Sequence, residues 1–281
     1  MPVIKGAQVV EAMGGRITKQ VEELKNAGVE PCLAILRVGE DGSQMAYERG
    51  ARNRLAKYGI KCETTALDID VSQGDFENAF RRLNDDPEVH GILILQPLPK
   101  SLSIESIKNE INPLKDVDAI SPMTLYRVFA WDKQAFAPCT AEGVIEILDS
   151  IGTQYRGKKC VIVGCSLVVG PLGMLLLARD ATVTYCHEFT VDVPKEARDA
   201  DILISAAGVP KLIGAGHVNE NMTVVDVGIN VGADGKMCGD VDFDAVKDIV
   251  ANITPVPGGA GSVTTSVLAD HVVRAAKALT K

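Results

Sequence analysis

The stretch CVIVGCSLVVGPLG, residues 160–173, runs from an apolar strand into a turn of small residues and on into a segment suited to a helix. That succession lets a dinucleotide's pyrophosphate sit against unpaired backbone N–H groups. Its pattern is G-x-S-x-x-x-G (Gly164, Ser166, Gly170) and not G-x-G-x-x-G, so glycines that only tighten a strand-to-helix turn explain it equally well. The next strand adds a second mark. ATVTYCHEFT, residues 181–190, alternates like a strand leaving a core and ends on Glu188, 24 positions past Gly164. A carboxylate there accepts hydrogen bonds from an adenosine ribose and repels the 2′-phosphate of NADP, which favours NAD. The competing reading is a solvated glutamate at a wet strand end.

Working outward, DILISAAG (201–208) and MTVVDVG (222–228) continue the strand series, and KKCVIVG (158–164) connects to ATVTYCH (181–187) through a helix over Gly170–Arg179. Toward the N-terminus, PCLAILRV (31–38), KCETTALDI (61–69) and HGILILQ (90–96) read as strands, with helices over Ser43–Tyr58 and Gly74–Leu83 between them. Short apolar runs alternating with segments of helical period specify parallel sheets flanked by helices, so the fold class is α/β in two units. The closing TTSVLADHVVRAAKALTK carries apolar residues at helical spacing and is expected to return to the first unit.

Length and composition agree with this. The 281 residues, 46% hydrophobic and 23% charged, are enough for two modest cores. A net charge of −8 with no basic run excludes a nucleic-acid footprint and a polybasic membrane anchor, leaving small-molecule chemistry. The opening MPVIKGAQVVEAMGG shows helical spacing in place of an export signal, and MLLLA is too short to span a bilayer. Seven cysteines without C-x-x-C argue against disulfides or a zinc site and read as thiols of a cytoplasmic protein. Asp116 and Asp118 lack further clustered ligands, so no metal is expected.

Five segments, PCTAEG (138–143), KDVDAI (115–120), ATVTYCHEFT, DVGIN (226–230) and ITPVPGGAGSVT (253–264), occur in an order that resembles the methylenetetrahydrofolate dehydrogenase/cyclohydrolase family over nearly the whole chain. The resemblance implies a folate-binding domain over 1–140 with helix 265–281 packed back on it, and a Rossmann-type NAD-binding domain over 141–264. It also implies a cleft between them and a homodimer. By the same resemblance Gly164, Cys165, Ser166, Gly170, Glu188, Ile229 and Thr264 fall where the family contacts its dinucleotide. Tyr47 and Asp118 fall where it stacks the pterin and holds its polar edge; Leu95, Gln96, Pro257, Gly258 and Gly259 would border the substrate.

The departures from the family pattern shape the functional expectation. The family's S-x-x-Y-x-x-x-K appears as SQMAYERGA (43–51): Tyr47 remains, but Ala51 stands four later, and Arg49 and Arg52 lie on other helical faces. In GILILQPLP (91–99) the family's glutamine position is Leu95, and Gln96 is its neighbour, on the opposite strand face. Cys165 and Glu188 replace an arginine and a serine able to bind a 2′-phosphate. His187 and Asp116 read as locally bonded, the latter in a turn. Hydride transfer from the methylene carbon needs no proton to leave, whereas hydrolysis of the methenyl product needs an acid/base group. The expectation is an NAD-preferring 5,10-methylenetetrahydrofolate dehydrogenase of one-carbon metabolism with weak or absent cyclohydrolase activity. The alternatives are a bifunctional enzyme using NADP and a catalytically silent folate or nucleotide sensor.

Overall fold

The computed structural model describes residues 3–232 and 235–280. It divides into two compact units, one of Met1–Glu11 with Thr140–Thr264, the other of Ala12–Cys139 with Thr265–Lys281.

In the unit centred on the N-terminal half, strands β1 (Cys32–Val38), β2 (Lys61–Leu67) and β3 (Gly91–Ile94) form a parallel sheet in the order β2-β1-β3. β1 is central and apolar on both faces, the pattern of a strand covered from two sides. Helix α1 (Gly6–Asn26) places Met13, Ile17, Val21 and Leu24 on one buried stripe. Between β1 and β2 runs α2 (Gly42–Tyr58); between β2 and β3 runs α3 (Gln73–Asp85), begun by Ser72, whose side chain accepts from Asp75 N. Phe76 and Phe80, four apart on α3, are fully buried against Ala34, Leu36, Ile92 and Ile94. Truncating either phenylalanine to alanine would cost about 3–5 kcal/mol. The last helix lies in this core from Thr265 on: it carries buried Val267, Leu268, Val272 and Val273, and Tyr58 Oη meets Ser266 Oγ at 3.0 Å.

In the other unit β4 (Lys159–Val163), β5 (Thr182–Cys186), β6 (Ile202–Ser205), β7 (Thr223–Asp226) and β10 (Asn252–Ile253) make one parallel sheet, ordered β10-β7-β6-β4-β5. The chain leaves β4 for β5 on one side and returns to β6 on the other, which puts a topological switch point between β4 and β6. This is a doubly wound, Rossmann-type α/β unit, and ligands of such sheets bind beyond the carboxyl ends of the strands at the switch point. Helices α6 (Gly170–Leu177) and α7 (Val193–Arg198) connect its first strands. An antiparallel ribbon of β8 (Asn230–Val231) and β9 (Met237–Cys238) and the short α8 (Phe243–Val246) follow β7. Val3 forms a parallel bridge to Ile253, and Ile4 N donates to Ile253 O at 2.8 Å. The remaining helices are α4 (Pro122–Phe129), α5 (Cys139–Ser150) and α9 (Thr264–Leu279).

The strands and helices read from periodicity form within a few residues of their expected ends. The sequence reading did not separate α4, α5, α7, α8 or the two-residue strands β8, β9 and β10, most of which are too short to show a period.

Candidate active site

Gly164 follows β4 and donates its N–H to Cys186 O at 2.8 Å, which ties the turn to the end of β5. Its φ is +113°, and a Cβ there would lie 2.2 Å from Ala206 O, just past the end of β6. Only glycine allows the two switch-point strands to approach this closely. Cys165, Ser166, Leu167 and Val168 then form an exposed loop. The first turn of α6 is already occupied: Gly170 N donates to Ser166 O, Leu172 N to Val169 O and Gly173 N to Tyr185 Oη, while Pro171 has no N–H. A pyrophosphate would therefore meet the loop Cys165–Val168 in preference to that turn. Tyr185 also donates to Gly170 O, so one phenol pins both ends of the turn to β5.

Glu188 lies two residues past β5, exposed, in the turn that Gly164 reaches through Cys186. Beside it His187 accepts from Phe189 N at 3.2 Å through Nδ1, a local bond that agrees with the bland reading of that histidine. Ile229 is exposed, whereas Thr264 is half-buried and donates to Gly261 O. Pro257 and Gly258 are exposed and Gly259 buried; Gly258 has φ +96° and accepts from Gly6 N.

Two buried carboxylates that the sequence reading did not single out brace this region. Asp240 Oδ2 accepts from Ala207 N and Gly208 N, after β6, and its Oδ1 accepts from Asn230 Nδ2, after β7. Asp226, the last residue of β7, accepts from Gly228 N, Asp240 N and Val241 N. Burial pushes the Asp226 carboxyl up to about 6, against the lowering by those three N–H groups. The signal available in the sequence was an aspartate closing the apolar run TVVD, where a charge needs partners.

In the other unit, α2 carries the first substrate candidate. Asp41 caps it by accepting from Ser43 N and Gln44 N. Glu48 fixes its rotation, since it accepts from Arg37 Nε of β1 at 2.9 Å and from Thr64 Oγ1 of β2 at 2.7 Å. With that rotation Gln44, Ala51, Leu55 and Tyr58 point into the unit, and Tyr47, on the same face as Gln44 and Ala51, is half-buried. Ala51 is fully buried. Leu95 is also buried, its N–H donating to Leu36 O, and Gln96 is exposed.

Asp118 is half-buried and its Oδ1 accepts from Cys139 N, the first residue of α5, at 2.9 Å. Burial raises its proton affinity above the usual carboxylate range, and the Cys139 N–H opposes that shift. Asp116 takes the turn role, its two oxygens accepting from Ile120 N and Ser121 N. Among the described residues no three His, Cys, Asp or Glu side chains gather as a metal site, and no helix is long and apolar enough to cross a membrane.

An exposed loop at a switch point, a glycine whose backbone no side chain could share, and a carboxylate at the end of the neighbouring strand fit an adenine dinucleotide. The comparisons with known proteins point the same way. The profile described as "Tetrahydrofolate dehydrogenase/cyclohydrolase, catalytic domain" matches residues 4–118, and that described as "Tetrahydrofolate dehydrogenase/cyclohydrolase, NAD(P)-binding domain" matches 138–280. The chain is similar to the bifunctional protein FolD of Alkaliphilus metalliredigens, with 47% identity over 98% of this chain and 97% of that one. Among solved structures it is similar to the bifunctional FolD methylenetetrahydrofolate dehydrogenase/cyclohydrolase of Campylobacter jejuni, with a TM-score of 0.96, 35% identity and 99% of each chain covered. It is also similar to the Trypanosoma brucei methylenetetrahydrofolate dehydrogenase-cyclohydrolase complexed with NADP and an inhibitor, with a TM-score of 0.92, 32% identity and 100% of both chains covered. Matched along both of its units by the family's two domain profiles, this chain belongs to the tetrahydrofolate dehydrogenase/cyclohydrolase family.

Proposed function

We propose that this member of the family is a 5,10-methylenetetrahydrofolate dehydrogenase that prefers NAD and hydrolyses the methenyl product weakly. The observation that carries the cofactor preference is Glu188, exposed two residues past β5 and next to the Gly164 turn. Its charge accepts the ribose hydroxyls and disfavours a 2′-phosphate. The bound dinucleotide would supply a hydride acceptor through its nicotinamide ring. Gly164, Cys165, Ser166, Ile229 and Thr264 hold the dinucleotide in residues 141–264, and Gly170 closes the binding turn through its bond to Ser166 O. Residues 1–140 with 265–281 bind the folate: Tyr47 stacks the pterin, Asp118 holds its polar edge, and Leu95, Gln96, Pro257, Gly258 and Gly259 border it. As hydride leaves the methylene carbon, the adjacent nitrogen lone pair develops into an amidinium, so orientation and electrostatics are the whole of the protein's contribution.

Hydrolysis differs, because water must lose a proton while it attacks. The site four residues after Tyr47 is an apolar methyl group, and loss of an acid/base group slows such a step by ~10² to 10⁴-fold. A second reading, the bifunctional enzyme with NADP, has its own support: the relative at 47% identity is named bifunctional, and the T. brucei structure contains NADP. Steady-state rates with both nicotinamide cofactors, together with decay of the methenyl absorbance on the same preparation, separate the two. Glu188→Ser is expected to raise the NADP/NAD ratio of kcat/KM by at least about tenfold; an unchanged ratio sinks the assignment of Glu188. Rapid methenyl decay in the unmodified protein would establish the bifunctional reading in place of the first. The protein is also taken as a cytoplasmic homodimer, and equilibrium sedimentation tests the dimer directly.

A further inference from the structure

Gln44 sits in the first turn of α2 with its side chain turned inward, and the residue is 6% exposed. Its Nε2 donates to Pro97 O at 2.9 Å, in the loop after β3, but among the described residues its Oε1 has no hydrogen-bond partner. The amide cannot be turned around to relieve this. Pro97 O can only accept, so the nitrogen must face it and the orphan atom is necessarily the carbonyl oxygen. A buried acceptor without a donor is destabilising, and native structures rarely keep one without a use.

Its position suggests the use. Gln44 lies three residues before Tyr47 and seven before Ala51 on one helical face, and its amide reaches the loop that begins with Leu95 and Gln96. The strand end offers no buried amide, since Leu95 is apolar and Gln96 is exposed. We propose that Gln44 is a substrate-contacting residue whose Oε1 accepts a hydrogen bond from a ring N–H of the reduced pterin, so that α2 and not the end of β3 supplies the amide that reads this edge. The inference rests on the folate reading of this unit given above.

The test pairs Gln44→Met, which keeps length but removes both the acceptor and the donor to Pro97, with Gln44→Glu, which keeps an acceptor oxygen but loses the same donor and adds a charge. Tetrahydrofolate affinity is read by fluorescence titration, NAD affinity in parallel, and Tm by calorimetry. The expected result is that Gln44→Met weakens tetrahydrofolate about tenfold, while Gln44→Glu, which still offers an acceptor, stays within about threefold of the parent; NAD affinity is little changed in both, and Tm falls in both, further in Gln44→Glu because it buries a charge. A Gln44→Met affinity equal to the parent's would mean that water satisfies Oε1, and would overturn the proposal. Equal losses in both variants would overturn it too, by assigning the effect to the Pro97 bond. Melting of both below the assay temperature would make Gln44 structural, again overturning it. Failure of the unmodified protein to bind tetrahydrofolate or to turn over its methylene derivative would instead remove the folate reading itself, and this inference with it.

Discussion

At Gly164 an added methyl group would lie 2.2 Å from Ala206 O on a backbone with φ of +113°, so the residue is demanded twice, by space and by conformation. Gly164→Ala is expected to lower stability by about 1–3 kcal/mol and to weaken NAD more than tenfold, measured by thermal melting and titration; full cofactor affinity would show that the turn is only a corner. Ala51 presents the opposite case. Its methyl group is fully buried, so Ala51→Lys would force an amine into an apolar place and lower Tm. The same burial depresses the amine's pKa toward neutrality, where it becomes a usable base. Methenyl hydrolysis is expected to rise at least about tenfold in that variant, and a stable, folded Ala51→Lys with no gain would argue that the position lies away from the reacting carbon.

Elements hold these residues by a few well-placed bonds. Helix α6 begins without a side-chain N-cap, and Tyr185 of β5 takes over that work by donating to Gly170 O and accepting from Gly173 N. Tyr185→Phe removes both bonds and is expected to cost about 1–3 kcal/mol, raise the KM for NAD several-fold and leave the folate KM unchanged. An equal rise in both KM values would point to general loosening instead. Helix α2 is held in the same manner, by Glu48 between Arg37 and Thr64, so that its Gln44–Tyr47–Ala51 face keeps one orientation. Neither Tyr185 nor Glu48 carries a motif. Both were invisible in the sequence because their partners are 11 to 16 residues away in the chain and become neighbours only when sheet and helix pack.

At the scale of the molecule, the Asp226–Asp240 pair decides how the loops after β6 and β7 are set around the switch point. The folded pKa of Asp226, about 6, lies above the usual value of 3.8, so the folded state holds its proton more tightly than the unfolded chain. Its contribution to stability is therefore complete below pH 3.8 and is lost as pH rises through about 6. Asp226→Asn removes that dependence, so the melting temperature difference between parent and variant should be larger at pH 4.5 than at pH 7.5. A difference independent of pH would contradict the raised pKa. Periodicity of apolar residues by itself determined the α/β class, the parallel strands and the helices between them, because burial of one face needs only a local pattern. The five motif segments likewise sufficed for the family. Only the tertiary structure decided that the first turn of α6 is filled, that Asp240 binds two loops at once, and that the buried amide beside Tyr47 comes from Gln44. Hydrogen-bond satisfaction depends on which groups meet across the fold, and no linear spacing records that.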